Sequence, residues 1–225
     1  MEIKGKLYAG IGSSATGTTT FAFGVGVKAF GNGSHAEGSG TTASNTASHA
    51  EGTNTKATGQ HSHAEGLQTT ASGSGSHAEG SSSKAIGQSS HAEGQSTIAS
   101  GASSHAEGIS TTASGSYSHS EGYISKAIGN FGSHAEGREA LASGSTSHAE
   151  GYQTTAKGNY THAEGYQAIA IGFNSHVEGA QSTALGDTSH AEGSLTTSVG
   201  SVSHSEGFLT TAGGSVSHAE GRITK

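Results

Sequence analysis

A pentapeptide, Ser-His-Ala-Glu-Gly, returns with few changes every fourteen residues through most of this sequence. Fourteen of the fifteen histidines belong to it, and each is followed two residues later by a glutamate. A strict short period is typical of a solenoid, in which each repeat forms one coil that stacks on the next. The repeat histidines are His35, His49, His63, His77, His91, His105, His119, His134, His148, His162, His176, His190, His204 and His218. The repeat glutamates are Glu37, Glu51, Glu65, Glu79, Glu93, Glu107, Glu121, Glu136, Glu150, Glu164, Glu178, Glu192, Glu206 and Glu220.

Each repeat divides into two halves of seven residues, as in 62–68 and 69–75. Each half has five alternating residues followed by two turn-like residues, which predicts two short strands per coil. Period two along a strand puts His and Glu on one face and the intervening Ala on the other. Glycine at the end of each strand permits a tight corner. The pattern therefore predicts an all-β solenoid of 14-residue coils, with two rows of alanine packed inside.

Composition alone predicts disorder, because only 28 of the 225 residues are Leu, Ile, Val or Phe, whereas 38 are Gly. The period overrides that prediction, since a disordered chain has no reason to keep Ala and Gly in register. The sequence leaves no room for a conventional hydrophobic core. We therefore expect stability to come from backbone hydrogen bonds between coils.

Charge excludes some partners. The formal net charge is −7 with neutral histidine, and protonation of the fourteen repeat histidines alone would change it to +7. A charge that depends so strongly on pH favours neither nucleic acid nor an acidic surface as a partner. We also expect no membrane insertion by this segment, because no stretch is apolar enough.

The repeat frame divides the chain into three segments. Residues 1–19 form an N-terminal segment and first coil, residues 20–33 an apolar coil, and residues 34–225 the repeats proper. In the apolar coil, Phe21 and Phe23 replace the repeat His and Glu, which predicts an apolar plug on a face that is otherwise His and Glu and that looks inward. An extra residue within 128–132 predicts a bulge at a corner. The chain stops in mid-repeat, so we expect a fragment of a longer protein.

The repeat resembles the head-domain repeats of trimeric autotransporter adhesins. The first half, as at 76–80, matches their Ser-Val-Ala-Ile-Gly motif, and the second, as at 69–73, matches their x-Ala-Ser-Gly motif, while 85–87 and 170–172 keep the same Ala-Ile-Gly grammar. Similar repeats occur in phage and prophage surface fibres. The resemblance implies a left-handed parallel β-roll, three identical chains around an axis, and first strands that face that axis.

The resemblance also implies a function. We expect a structural or adhesive fibre segment, an adhesin-like head or a phage appendage, that presents or spaces a receptor-binding surface as a rigid trimeric rod. Its partners would be two further copies of itself and a host-surface receptor or an extracellular matrix component. Its place would be the cell surface or a virion.

This sequence departs from the adhesin pattern where Val and Ile become His and Glu. The repeat histidines and glutamates are therefore predicted to form a ladder at the trimer core, with imidazole N–H groups donating to carboxylates. Such pairing would raise the pKa of each histidine and depress that of each glutamate, giving maximal stability in mildly acidic to neutral solution.

Two other interpretations of the repeat stay open. His and carboxylate oxygen are ordinary metal ligands, so the ladder could make this a metal-binding repeat protein. The second predicts an ice-binding solenoid from a row of threonines, although other residue types interrupt that row at Lys56, Lys84, Ile98, Lys126, Leu141 and Ile169. The prediction is a proton-linked ladder without a resident metal or cofactor.

Aromatic residues gather at turns of the middle and later coils. The tyrosines predicted to contact a receptor or a neighbouring chain are Tyr117, Tyr123, Tyr152, Tyr160 and Tyr166. His61 lies outside the ladder, and we expect it to be solvated. An enzyme is not expected, because Ser, His and Glu on one extended strand cannot form a catalytic triad and acidic residues outside the repeats are sparse.

Overall fold

The protein is a parallel β-solenoid, seen in a computed structural model that describes residues 7–225. Residues 1–6 of the predicted N-terminal segment lie outside the described residues. All regular structure in the described part of the chain is β-strand, as the repeat pattern predicts. Within that part there is no helix of the length and apolarity needed to cross a membrane.

The chain divides into two compact units, residues 1–110 and 111–225. In the first unit, the strands that carry the repeat histidines, or their apolar replacements, form one sheet. They are β1 (Leu7–Ala9), β3 (Phe21–Val25), β5 (His35–Ser39), β7 (His49–Ala50), β9 (His63–Ala64), β11 (His77–Ala78), β13 (His91–Gln95) and β15 (His105–Ile109). The second strands form the other sheet. They are β2 (Ser14–Ala15), β4 (Lys28–Ala29), β6 (Thr42–Ala43), β8 (Lys56–Ala57), β10 (Thr70–Ala71), β12 (Lys84–Ala85) and β14 (Ile98–Ala99).

The second unit repeats this architecture. Its first strands are β17 (His119–Tyr123), β19 (His134–Arg138), β21 (His148–Tyr152), β23 (His162–Tyr166), β25 (His176–Ala180), β27 (His190–Ser194), β29 (His204–Phe208) and β31 (His218–Arg222). Its second strands are β16 (Thr112–Ala113), β18 (Lys126–Ala127), β20 (Leu141–Ala142), β22 (Thr155–Ala156), β24 (Ile169–Ala170), β26 (Thr183–Ala184), β28 (Thr197–Ser198) and β30 (Thr211–Ala212).

Like residues of successive coils lie side by side. In the pairing of β13 with β15, for example, His91 aligns with His105 and Glu93 with Glu107. Backbone N–H groups donate to carbonyls of the next coil, as from His63 to Ser76 at 2.9 Å. Because the sequence period equals the length of one coil, every position of the repeat becomes a column running from coil to coil.

The core is built from small side chains. The repeat alanines of both strands, such as Ala78 and Ala85, are fully buried, which confirms the two predicted alanine rows. A buried Ser or Thr lies two residues before most of these alanines, with Val27, Ala140 and Ala168 among the exceptions, so the interior also contains hydroxyl rows. The serine that opens the pentapeptide closes a turn: Ser76 Oγ donates to the carbonyl of Gly73 at 2.8 Å. This serine is thus a turn residue that the motif keeps for its hydrogen bond.

Glycine in the pentapeptide has two reasons to be there. Gly165 has a φ of +112°, and a Cβ added to it would lie 2.2 Å from the carbonyl oxygen of Gly179 in the next coil. The coils therefore stack backbone on backbone at this position, which only glycine allows. The residues two places further on adopt left-handed φ without being glycine, as at Gln68 with φ 57°, whose N–H donates to Thr53 O at 2.8 Å.

The extra residue is absorbed at a corner, as predicted. Gly115 stacks on Gly129, fourteen residues later, whereas Ser116 pairs with Phe131, fifteen residues later. The change of register between these two pairs identifies Asn130 as the inserted residue. Strand pairing is in register again at once, with His119 opposite His134.

Candidate functional site: the His/Glu face

The repeat histidines and glutamates of each unit form one outward surface of the first strands, which we call the His/Glu face. Alternation along each strand produces it, because the alanine between His and Glu is buried on the other side. These side chains are partly exposed to solvent: the His162 side chain is 36 % exposed and that of Glu164 is 45 % exposed. The structure therefore brings the predicted ladder residues of each unit onto a single face, and their burial at a trimer core stays a prediction.

Histidines of successive coils stack as parallel rings. In the first unit the ring centroids from His35 to His105 are 4.7–4.8 Å apart, with interplanar angles of 0–8°. In the second unit, from His119 to His204, they are 4.6–4.9 Å apart at 3–9°. The last ring, His218, is tilted by 66°. Parallel stacking follows from identical side chains on strands at the normal β spacing.

The two units pair histidine with glutamate differently. At some histidines of the first unit Nε2 bonds the carboxylate of the preceding coil, as in His105 to Glu93 at 3.1 Å and His77 to Glu65 at 3.2 Å, whereas Nε2 of His49 and of His91 has no hydrogen-bond partner. In the second unit histidine forms an ion pair with the glutamate of the same coil, as at His162, with 3.9 Å between its Nε2 and Glu164 Oε2. The predicted network of His–Glu hydrogen bonds is thus present in part of the first unit, whereas the second unit has longer ion-pair distances.

Histidine titration differs from the sequence-based expectation. Burial lowers the pKa of His148 below the ordinary 6.5, and the charge of His134 lowers this pKa further. The nearby glutamates raise it but do not outweigh those two causes. Burial and neighbouring imidazoles also lower the pKa of His91, His162, His176 and His190. The prediction of raised histidine pKa values is therefore wrong at these positions, because burial and then the like charge of the stacked rings outweigh the facing carboxylates.

The glutamates do not shift in one direction. A hydrogen bond between the carboxyl groups of Glu79 and Glu93 raises the pKa of Glu79. Hydrogen bonds from Glu79 and Glu107 lower the pKa of Glu93. Adjacent carboxyl groups of one column thus shift each other's pKa in opposite directions, which the expectation of uniformly depressed glutamate pKa values did not include.

The apolar coil continues the His/Glu face. Phe21 aligns with His35 and Phe23 with Glu37, and the two rings are 50 % and 64 % exposed. The ring of Phe21 meets that of His35 edge to face, at 6.0 Å. Both phenylalanines thus lie where the sequence places them, on the same surface as the ladder. Their role as a plug stays a prediction.

The five predicted contact tyrosines separate into two columns. Tyr123, Tyr152 and Tyr166 lie at the ends of β17, β21 and β23, whereas Tyr117 and Tyr160 occupy left-handed positions at the other corner of the coil. The rings of Tyr152 and Tyr166 stack at 5.3 Å. Four of the five are exposed and Tyr152 is half-buried. His61 is exposed at a corner, as expected.

Sequence reasoning missed a ladder of amides beside the first tyrosine column. Gln181 donates to Gln167 at 3.0 Å, Gln167 to Gln153 at 2.8 Å, and Gln153 to the Glu139 carboxylate at 2.7 Å. The three glutamines line an open groove of about 390 Å³ together with Ile169 and Thr183. The available signal was glutamine at the same position of three consecutive repeats, 153, 167 and 181.

Arg138 joins the same column. Its guanidinium lies 5.6 Å from the ring centroid of Tyr123 and 5.4 Å from that of Tyr152. Its Nε is 3.5 Å from Glu139. These cation–π contacts order the surface formed by the tyrosines of the second unit.

Several places on the His/Glu face collect potential metal ligands. Two histidine nitrogens of successive coils and one carboxylate oxygen lie within 4.8 Å of one another in the sets His35–Glu37–His49, His49–Glu51–His63, His63–Glu65–His77 and His91–Glu93–His105. The donors are those that Zn²⁺ and similar ions use.

Comparison with known proteins agrees with this architecture. The model of the YadA head domain repeat matches residues 64–90, 92–118, 135–161, 163–189 and 178–201, slightly more than half of the chain. A search of curated proteins gave no match. YadA head domains are structural adhesin modules that form trimers, are exposed at the cell surface and bind host surface components. With its parallel 14-residue coils and these repeats, the chain belongs to the YadA head domain family of trimeric autotransporter adhesins.

Proposed function

We propose that this chain is an adhesive fibre segment that forms a homotrimer, with the His/Glu face of each chain against the other two. The observation that carries the proposal is the pair Phe21 and Phe23, which lie in register with the ladder and are 50 % and 64 % exposed in the single chain. Exposure of two neighbouring phenylalanines to water is unfavourable, and covering the face that carries them stabilises the protein. Because the ladder continues the same face, a partner that covers the phenylalanines also covers the ladder.

The histidines of the second unit support the same orientation. Nε2 of His134, of His148 and of His162 is shielded from solvent and has no hydrogen-bond partner within the chain. A shielded nitrogen without a partner costs free energy, so a second chain that supplies a donor or acceptor stabilises it. The membership of a family whose head domains trimerise agrees with that arrangement.

The trimer would present the tyrosine columns outward. Tyr117, Tyr123, Tyr160 and Tyr166 are exposed at coil corners. Tyrosine combines a large apolar ring with a polar tip and is enriched at binding surfaces. In this proposal the segment spaces or presents these columns to a host-surface receptor or an extracellular matrix component, at a cell surface or on a virion.

Mass in solution tests the trimer. Light scattering at neutral pH with chelator should give three times the chain mass of 22.0 kDa. Phe21→Ser combined with Phe23→Ser should lower the melting temperature of the trimer, whereas Tyr117→Ser combined with Tyr160→Ser should leave it unchanged. A 22.0 kDa species at every concentration would refute the proposal.

Adhesion is tested separately, on the intact trimer. Labelled chain is incubated with mammalian cells and with plates coated with extracellular matrix. The Tyr117→Ser, Tyr160→Ser variant and a Tyr123→Ser, Tyr166→Ser variant should each remain trimeric, and at least one should lose binding. If both variants bind as well as the wild-type trimer, the tyrosines are not the adhesive surface.

A further inference from the structure

The His/Glu face places nitrogen and oxygen ligands at distances suited to a metal ion. Zn²⁺ and related ions bind imidazole nitrogen and carboxylate oxygen at about 2.1 Å, so two ligands on one ion lie roughly 3.0–3.4 Å apart in octahedral or tetrahedral geometry. The Nε2–Oε ion-pair distances on this face run from 3.1 Å for His105 with Glu93 of the preceding coil to 3.9 Å for His162 with Glu164 of its own coil. His148 and His162 therefore each offer, with the glutamate of the same coil at 3.9 Å, an N,O pair within about half an ångström of a chelating arrangement.

One chain cannot complete such a site from successive coils. The rings of His148 and His162 are parallel to within 6° and 4.7 Å apart. Their in-plane lone pairs therefore run side by side instead of converging. Two bonds of about 2.1 Å also span less than this separation. Successive histidines of one column would have to unstack before both could bind one ion, so the sets formed by neighbouring coils are poor sites as they stand.

Three chains around an axis would complete the site within a single layer. A three-fold axis beside the His/Glu face brings three imidazole nitrogens and three carboxylate oxygens together at each coil. Six nitrogen and oxygen donors suit an octahedral divalent transition metal. This step depends on the trimer proposed above.

The second unit has the more available nitrogens. Nε2 of His148, His162, His176 and His190 is shielded and has no hydrogen-bond partner. In the first unit Nε2 of His49 and His91 is likewise without a hydrogen-bond partner, but Nε2 of His63 and His77 already bonds a glutamate, at 3.3 and 3.2 Å. An ion at His63 or His77 would have to break these bonds, whereas in the four layers of the second unit it would supply a missing partner.

We propose that the layers formed by His148, His162, His176 and His190 with their glutamates bind divalent transition-metal ions on the trimer axis, three nitrogens and three oxygens to each ion. Successive layers are about 4.8 Å apart. Two divalent ions at that separation repel strongly, so occupancy is limited to alternate layers. These four layers then hold two ions per trimer.

Cobalt(II) is the probe, because its visible absorption distinguishes octahedral from tetrahedral coordination. The full chain is freed of metal with chelator, dialysed to pH 7.5 and titrated with Co²⁺ by calorimetry and absorption, with light scattering on the same samples. The test variant, called the fourfold variant, combines His148→Gln, His162→Gln, His176→Gln and His190→Gln. The matched controls are His63→Gln with His77→Gln in the first unit, and His61→Gln at the surface.

The wild-type trimer should bind Co²⁺ with weak, octahedral absorption, and the fourfold variant should lose at least half of the bound Co²⁺ while both controls keep it. His162→Gln alone gives the same comparison, with a smaller loss, if the fourfold variant does not fold. A trimer that takes up no Co²⁺, or a fourfold variant with undiminished uptake, overturns the metal site and leaves the trimer proposal standing. A chain that stays monomeric with and without Co²⁺ overturns both.

Discussion

Replacing one stacked glycine should destabilise the protein far more than replacing a glycine at an open corner. In Gly165→Ala the new Cβ would lie 2.2 Å from the carbonyl oxygen of Gly179, at a φ of +112°. Gly132→Ala shares the positive φ, +57°, but its Cβ would have only Thr146 Oγ1 nearby, at 3.9 Å. Gly213→Ala meets nothing within 4 Å, at a φ outside the left-handed region. The three variants separate steric overlap from backbone strain.

The magnitudes follow from these contacts. A φ that only glycine adopts readily costs of order 1–3 kcal/mol, and overpacking adds about 1–3 kcal/mol, so Gly165→Ala should lose roughly 2–6 kcal/mol. At position 132 the left-handed cost of about 1–2 kcal/mol is partly offset by about 0.4–1 kcal/mol of lost unfolded-state entropy. At position 213 only the entropic gain remains, so that variant should be more stable by about 0.4–1 kcal/mol.

Thermal melts by circular dichroism at one scan rate measure the effect. For a chain of this size, 1 kcal/mol shifts the melting temperature by about 2–4 °C. Hydrogen exchange should also show the loss of protection centred on β21, β23 and β25, because coils of a solenoid interact mainly with their neighbours. A difference of about 2 °C corresponds to under 1 kcal/mol. If the melting temperatures of Gly165→Ala and Gly132→Ala differ by less than about 2 °C, the stacking of backbone on backbone does not require glycine at position 165.

Two further predictions concern titration and strain. The folded-state pKa lies below the ordinary 6.5 at five histidines: His91, His148, His162, His176 and His190. Because the unfolded chain then binds protons more readily than the folded chain, the melting temperature in the presence of chelator should fall as the pH drops through 6.5 towards the folded pKa values. A melting temperature that rises over that pH range would contradict the lowered pKa. Val202→Asn should raise the free energy of unfolding by about 1 kcal/mol, because β-branched Val202 has a φ of 54° and the equivalent corner residue Asn174 has the same φ without β-branching; an unchanged denaturant midpoint would refute this.

Much of the fold was predictable because the same pattern of residues recurs in fourteen repeats. The 14-residue period, the alternation around Ala78 and the glycine after each Glu led to coils, strands and the alanine core, and the structure confirms all three. Asn130 could be placed only as an extra residue somewhere in 128–132. Its position depends on which backbone groups of adjacent coils pair.

The sequence by itself determined which side chains share a face, because period two and period fourteen are properties of the chain. Only the tertiary structure decided how those side chains interact across coils. Burial, together with the like charge of identical rings stacked 4.6–4.9 Å apart, lowers histidine pKa values that pairing with glutamate was expected to raise. The tertiary structure also decides whether Nε2 bonds the carboxylate of the preceding coil, as at His77, or has no hydrogen-bond partner, as at His162. The repeat letters are the same in both units, so these differences arise from side-chain packing in three dimensions.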